Sequence, residues 1–216
     1  MAHLAKYKKS DFKRVSWNEY GRILDALYAR LKRHLEANKV KIDAVVPILR
    51  GGAFSGTYLA YRLGMLKVLP VQYKYFYSGG KGPLKRLLSF PKTAIGKRDP
   101  TFLLVENNHC FGATAANAAK DLQKAFPGCR IVYAAAYMDY SFRNAVDASV
   151  SLHGKYTNET RALTAAQCRA KGIEANTLNL FPWESKEEEW KMVSEKQFEY
   201  ADLDEVFSRA QKGKKR

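Results

Sequence analysis

The residues with the most chemical potential fall in one run, Val105-Glu106-Asn107-Asn108-His109-Cys110-Phe111-Gly112-Ala113-Thr114. An apolar stretch ends in polar residues, and a small-residue turn then opens an Ala-rich segment. Unpaired amides at a helix N-terminus, with the partial positive charge they carry, suit a phosphate. Gly112 and Ala113 would let an anion reach the backbone, Thr114 adds a hydroxyl, and Glu106 and Asn107 suit sugar hydroxyls. The same run also reads as a plain strand-to-helix connection with a glycine turn, and spacing alone does not choose. A second small-residue turn, Arg50-Gly51-Gly52, follows another apolar stretch. Between them, residues 81–98 carry Lys81, Lys85, Arg86, Lys92, Lys97 and Arg98, with Asp99 beside them. That loop fits a phosphate-facing lid, a solvated loop or a nucleic-acid contact.

Positioning these groups requires a sheet. Residues 42–49 and 101–105 read as short, almost wholly apolar strands of the kind buried in a parallel sheet. Each leads into a helix, 53–63 and 114–126, with further strands at 68–77, 130–137 and 148–152. An earlier helix, 17–36, opens on Ser16 and Glu19 at capping-box spacing and repeats Tyr20, Ile23, Leu24, Leu27, Leu31 and Leu35 along one face. A helix at 160–171, an apolar stretch at 177–181 and a charged, helical tail from 185 complete the reading. The pattern predicts an α/β fold, a mostly parallel sheet flanked by helices, with ligands bound beyond the carboxyl ends of the strands.

Taken together, the 105–114 run resembles the phosphoribosyl diphosphate (PRPP) motif of the type I phosphoribosyltransferases. Ile48-Leu49-Arg50-Gly51-Gly52 resembles the family's diphosphate loop, where the Arg-Gly peptide is typically cis. Residues 78–100 occupy the place of its mobile loop, and Phe181-Pro182-Trp183-Glu184 resembles the base-binding hood of the xanthine-guanine branch. The resemblance covers residues 15–185 and implies a domain at 1–184 that includes the hood, followed by a charged tail at 185–216. It further implies transfer of a 5-phosphoribosyl group from PRPP to a purine-like base, with Mg²⁺. Arg50, Gly51 and Gly52 would then hold the diphosphate, and Glu106 and Asn107 the ribose, with Glu106 beside the metal. Cys110, Phe111, Gly112, Ala113 and Thr114 would hold the 5′-phosphate, and Lys81 and Lys85 would close over it. Family members are commonly dimers or tetramers, so a homodimer is expected.

The sequence departs from the family at the same places. Asn107 replaces the second acid, and Phe111 a phosphate-binding Thr. Cys110 stands where 6-oxopurine enzymes carry an Asp near N7, which makes Glu106, Asn107 and Cys110 the catalytic candidates. Tyr137 aligns with the Lys that reads the 6-oxo group and Leu178 with the stacking aromatic, which leaves Tyr137, Leu178, Phe181 and Trp183 to meet the base. A catalytically weakened protein of this fold, binding nucleotides or nucleic acid in a regulatory role, is the alternative.

Composition bounds both readings. At 216 residues the chain suits one domain, and its 37 Lys and Arg against 21 Asp and Glu, 37 − 21 = +16, favour anionic partners. Cys110, Cys129 and Cys168 are odd in number and lack metal-ligand spacing, which fits reduced thiols in the cytoplasm. Residues 1–14 are polar and basic, so no secretory signal is expected, and no run is long and apolar enough to span a bilayer. G-x-G-x-x-G is missing after the first strand, which argues against a dinucleotide-binding domain.

Overall fold

Alternation along two central strands divides the core between two helix layers. The computed structural model describes residues 7–75, 84–90, 95–175 and 177–194. Its elements are β1 (Phe12–Arg14), α1 (Trp17–Ala37), β2 (Ala44–Leu49), α2 (Gly52–Arg62), β3 (Val71–Tyr75), β4 (Leu84–Leu88), β5 (Thr101–His109), α3 (Ala113–Ala125), β6 (Arg130–Asp139), β7 (Val150–Thr157), α4 (Ala165–Lys171), β8 (Leu178–Leu180) and α5 (Lys186–Ser194). The main sheet has the order β4-β3-β2-β5-β6-β7. All its pairings are parallel except β3 with β4, and β1 pairs with β8 in a separate two-stranded parallel sheet.

Val46, Leu104 and Tyr133 face α3, whose Ala115, Ala118, Ala119 and Leu122 are buried against them. Val45, Leu103, Val105 and Val132 face the opposite way, onto Leu27 and Leu31 of α1 and Leu59 of α2. Each of those leucines contributes roughly 1.5–3 kcal/mol by leaving water. A third cluster, Val15, Tyr20, Leu24, Tyr137 and Phe181 with Trp183 packed on it, fastens the segment after β8 to the start of α1. The Ser16 hydroxyl accepts from the Glu19 amide at 3.1 Å, the cap that the sequence announces.

The architecture is the expected one, with local differences that include the unforeseen strand β1. β5 continues past Val105 to His109, because β6 supplies partners for Glu106, Asn108 and His109. Strand pairing thus satisfies the backbone of residues whose polar side chains read as a loop. β4 forms inside the segment read as a mobile loop, antiparallel to β3 with Tyr75 opposite Leu84. β7 runs to Thr157, beyond the predicted 152, and the helix predicted over 160–171 begins only at Ala165, capped by Thr164 and Gln167. Among the described residues no helix is long and apolar enough to cross a membrane.

Candidate active site

Two glycine turns stand side by side at the carboxyl ends of β2 and β5. After β2 the chain passes through Arg50 and Gly51 into α2, and the Leu49–Arg50 peptide is cis. The expected cis bond at Arg50–Gly51 is therefore corrected by one position. Gly52 lies directly on β5: a Cβ there would stand 2.7 Å from the Val105 carbonyl oxygen, closer than real side chains come. The Arg50 side chain is exposed, and its charge acts on Glu184 and Glu189 in the segment after β8. After β5, Gly112 caps α3 from the left-handed region at φ 77°. A Cβ there would collide with the His109 ring, so only glycine closes this turn. The first intrahelical bond runs from the Ala116 amide to the Gly112 carbonyl at 2.8 Å. The Ala113, Thr114 and Ala115 amides precede that bond and lie at the helix N-terminus. Phe111 points elsewhere, packing edge-on against Phe142 at 5.1 Å.

The sugar corner differs more from expectation. Asn107 is buried against Gly51, and its Oδ1 has no hydrogen-bond partner among the described residues. Glu106 turns its Oε2 to the Tyr133 hydroxyl, 2.7 Å away on β6. The same hydroxyl lies 2.8 Å from His109 Nδ1, and His109 Nε2 lies 2.9 Å from the Phe142 carbonyl. Burial pushes the Glu106 carboxyl up to about 7, against the effect of the Tyr133 hydrogen bond, and pushes His109 down to about 4. Neither Tyr133 nor His109 is singled out by the sequence as a site residue. They lie 27 and 3 positions from Glu106, and only the β5–β6 pairing reveals the contact.

Magnesium needs charged oxygen donors with free lone pairs. Here one position offers an amide and the other a carboxyl already committed to Tyr133, with burial favouring its neutral form. Among the described residues no group of three or more His, Cys, Asp or Glu is placed to hold a metal ion. The donor set does not by itself make a protein-held magnesium site.

Cys110 follows on β5's end. Burial raises its thiol well above the ordinary range, and Glu159, Asp139 and Glu106 raise it further. It stays a thiol and is no activated nucleophile. The acids near it belong to a buried scaffold. Glu159 accepts from Asn108 Nδ2 at 2.8 Å, from the Asn179 amide at 2.9 Å and from Asn179 Nδ2 at 2.6 Å. Asp139 accepts from the Thr160 and Ser141 amides at 2.8 and 2.9 Å. Strand ends β5, β6 and β7 are thereby joined to β8. Tyr7 reaches the same region: its hydroxyl is buried, its ring lies 4.0 Å below the Arg161 guanidinium, and Arg161 is held by Asp11 at 2.6 Å.

The four residues expected to meet a base divide. Tyr137 is buried, stacked parallel to Tyr20 at 6.5 Å with Phe181 edge-on at 5.1 Å, so both are core residues. Leu178 stands opposite Phe12 in the β1–β8 pairing. Trp183 stacks on Phe54 of α2 at 4.2 Å and lies 5.6 Å from Trp17. With Trp17 56% and Phe54 43% exposed, these rings form an aromatic face beside the Arg50 turn. Lys85 lies on β4 opposite Lys74, and its neighbour Arg86 pairs with Asp121 of α3 at 2.9 Å. A strand, rather than a free loop, thus carries two of the expected lid cations. Lys81 and Lys92 lie outside the described residues.

No family model matches the chain, and no curated protein does. Solved structures do. A purine phosphoribosyltransferase from Pyrococcus horikoshii Ot3 superposes with a TM-score of 0.56 at 19% identity, over 81% of this chain and 95% of its own. The Helicobacter pylori xanthine-guanine-hypoxanthine phosphoribosyltransferase gives 0.58 at 16%, over 83% and 98%. A hypothetical protein from Neisseria gonorrhoeae with bound ppGpp gives 0.59 at 16%, over 94% and 98%. At these identities the likeness concerns the fold, over nearly the whole length of each partner. The chain has the type I phosphoribosyltransferase fold.

Proposed function

We propose that the chain is a phosphoribosyltransferase that transfers the 5-phosphoribosyl group from PRPP to a purine-type base. One observation carries the reading. Both glycine turns sit at adjacent strand ends, and each is fixed by a contact that excludes any other residue, Gly52 against Val105 and Gly112 against His109. In this reading Arg50 and the Gly51 and Gly52 amides bind the diphosphate, and the turn from Cys110 to Thr114 binds the 5′-phosphate. Glu106 and Asn107 face the ribose. The base lies toward Cys110, Leu178 and Trp183, with Tyr137 and Phe181 behind as support.

The anomeric carbon–oxygen bond breaks with its electron pair leaving on the diphosphate. A lone pair on a base nitrogen forms the new carbon–nitrogen bond, and that nitrogen's proton passes to solvent. No protein nucleophile is required, so holding the two phosphates at a fixed separation and stabilising the departing charge at Arg50 supply the catalysis. The purine class is supported by the fold neighbours, two of which are described as acting on purines and one as binding ppGpp. A homodimer acting in the cytoplasm belongs to the same reading.

Calorimetric titration of PRPP, followed by a chromatographic assay for nucleotide formed from guanine, hypoxanthine, xanthine or adenine, tests the proposal. PRPP binding with a dissociation constant on the order of micromolar and turnover of one base are expected. A protein that binds no PRPP at millimolar concentration would sink it.

A further inference from the structure

The residues just ahead of β1 are tied down more firmly than a chain entering a sheet needs. The Lys8 amide donates to Asp11 Oδ2 at 2.8 Å, and the Arg161 guanidinium donates to the same oxygen at 2.6 Å. The Arg161 side chain is only 11% exposed, and its φ of 54° is a left-handed conformation that residues other than glycine rarely adopt. Its turn is pinned on both sides. The Arg161 amide donates to the Asn158 carbonyl at 3.0 Å, and the Thr160 amide to Asp139 at 2.8 Å. A backbone outlier persists when its surroundings hold it, and here the turn lays the guanidinium carbon 4.0 Å from the centre of the Tyr7 ring.

The Tyr7 hydroxyl is thereby fixed among the strand ends. Cys110 follows β5, Asp139 closes β6 and Glu159 follows β7, and all three act electrostatically on that hydroxyl. Burial raises it above the ordinary tyrosine range, so it keeps its hydrogen. The oxygen is buried and has no hydrogen-bond partner among the described residues. Both nearby carboxylates are already engaged, Glu159 by Asn108 and Asn179, and Asp139 by the Thr160 and Ser141 amides. At the end of β5 the Oδ1 atoms of Asn107 and Asn108 also lack partners among the described residues, but these only accept. Tyr20 and Tyr137 bury their hydroxyls too, yet those rings stack on each other in the core.

We propose that Tyr7 is a specificity-determining residue of the base subsite, its hydroxyl donating to an acceptor in the plane of the base, a ring nitrogen or a carbonyl oxygen. The inference rests on the function proposed above, in which the base lies toward Cys110. It gives the base a contact that neither glycine turn supplies, brought by a residue ahead of β1. A buried hydroxyl without an acceptor costs stability in the free protein, and a ligand that accepts its hydrogen removes that cost.

Tyr7→Phe keeps the ring beneath Arg161 and removes only the hydroxyl. Calorimetric titration of ribose 5-phosphate, inosine 5′-monophosphate and adenosine 5′-monophosphate into parent and variant tests the inference. Ribose 5-phosphate has no base and should bind both proteins alike, within about twofold. At least one nucleotide should bind the variant about fivefold or more weakly. Loss with inosine monophosphate alone assigns a carbonyl acceptor, and loss that includes adenosine monophosphate assigns a ring nitrogen. Ribose 5-phosphate binding with smaller losses for both nucleotides would overturn this inference and leave the proposed function standing. No binding of any of the three ligands would sink both. Thermal unfolding adds a readout that needs no ligand: the variant should melt no more than about 2 °C below the parent, since the hydroxyl lost had no partner. A larger fall would show that the hydroxyl bonds within the protein, and would also overturn the inference.

Discussion

Gly51 rests on Asn107: a Cβ added at the glycine would stand 3.0 Å from the asparagine Cβ. The turn proposed for the diphosphate and the residue proposed for the ribose therefore share one contact. Gly52, the next residue, has a harder neighbour in the Val105 carbonyl. Gly52→Ala should cost about 1–3 kcal/mol in urea unfolding, because backbone must move. Gly51→Ala should cost less than that, since its contact with the asparagine Cβ at 3.0 Å asks for a shift of only a few tenths of an ångström, and equal costs would contradict the distinction.

Arg50 makes no packing contribution that its loss would expose, being at the surface beside Glu184 and Glu189. Arg50→Ala should weaken PRPP binding by about tenfold or more, the scale of a lost charge-assisted contact to phosphate. Its melting temperature should stay within about 2 °C of the parent. Unchanged affinity would remove Arg50 from the site.

Gly112→Ala combines a left-handed backbone with a Cβ that meets the His109 ring. About 2 kcal/mol of stability should be lost, and phosphate-bearing ligands should bind more weakly as the turn distorts. Calorimetry alongside chemical denaturation separates the two effects.

Stability should depend on pH through Glu106. Folding raises its carboxyl to about 7 from 4.5, so the folded state holds the extra proton across that interval. The wild type should therefore lose stability relative to Glu106→Gln as pH rises from about 4.5 to about 7, by roughly 3 kcal/mol at most. His109 acts in the opposite sense over about 4 to 6.5, but it is present in both proteins and largely cancels in the comparison. A difference that stays flat over this range would show that Glu106 titrates normally.

Glu159→Ala would strand three N–H donors from Asn108 and Asn179. About 3 kcal/mol should be lost, together with protection of the β8 amides against hydrogen exchange. Retained β8 protection would mean that the aromatic cluster alone holds that segment.

How far the sequence disclosed this arrangement depended on the range of the contacts. The apolar runs of β2 and β5, the leucine stripe of α1 and the cap at Ser16 are local patterns, and each element formed close to where it was read. β1 and β4 escaped because three apolar-poor residues, or Leu-Lys-Arg-Leu-Leu without alternation, carry no strand signal of their own. β4 exists through its pairing with β3 and its Arg86–Asp121 anchor. The glycine turns were legible because glycine itself marks a close approach. The partner of Glu106 was not, since Tyr133 reaches it only through strand order. Tyr137 shows the same limit from the other side: its alignment pointed to a ligand, while Tyr20 and Phe181 claim its ring for the core.

The small sheet of β1 and β8 has a mechanical consequence. Residues 12–14 precede α1 and residues 178–180 precede the Trp183 segment, yet they are zipped side by side, Phe12 to Leu178 and Arg14 to Leu180. Force applied to the leading segment is carried in shear across that zipper to the structure flanking Trp183. A bulky fusion or a tether attached ahead of Tyr7 acts as a lever on the aromatic face.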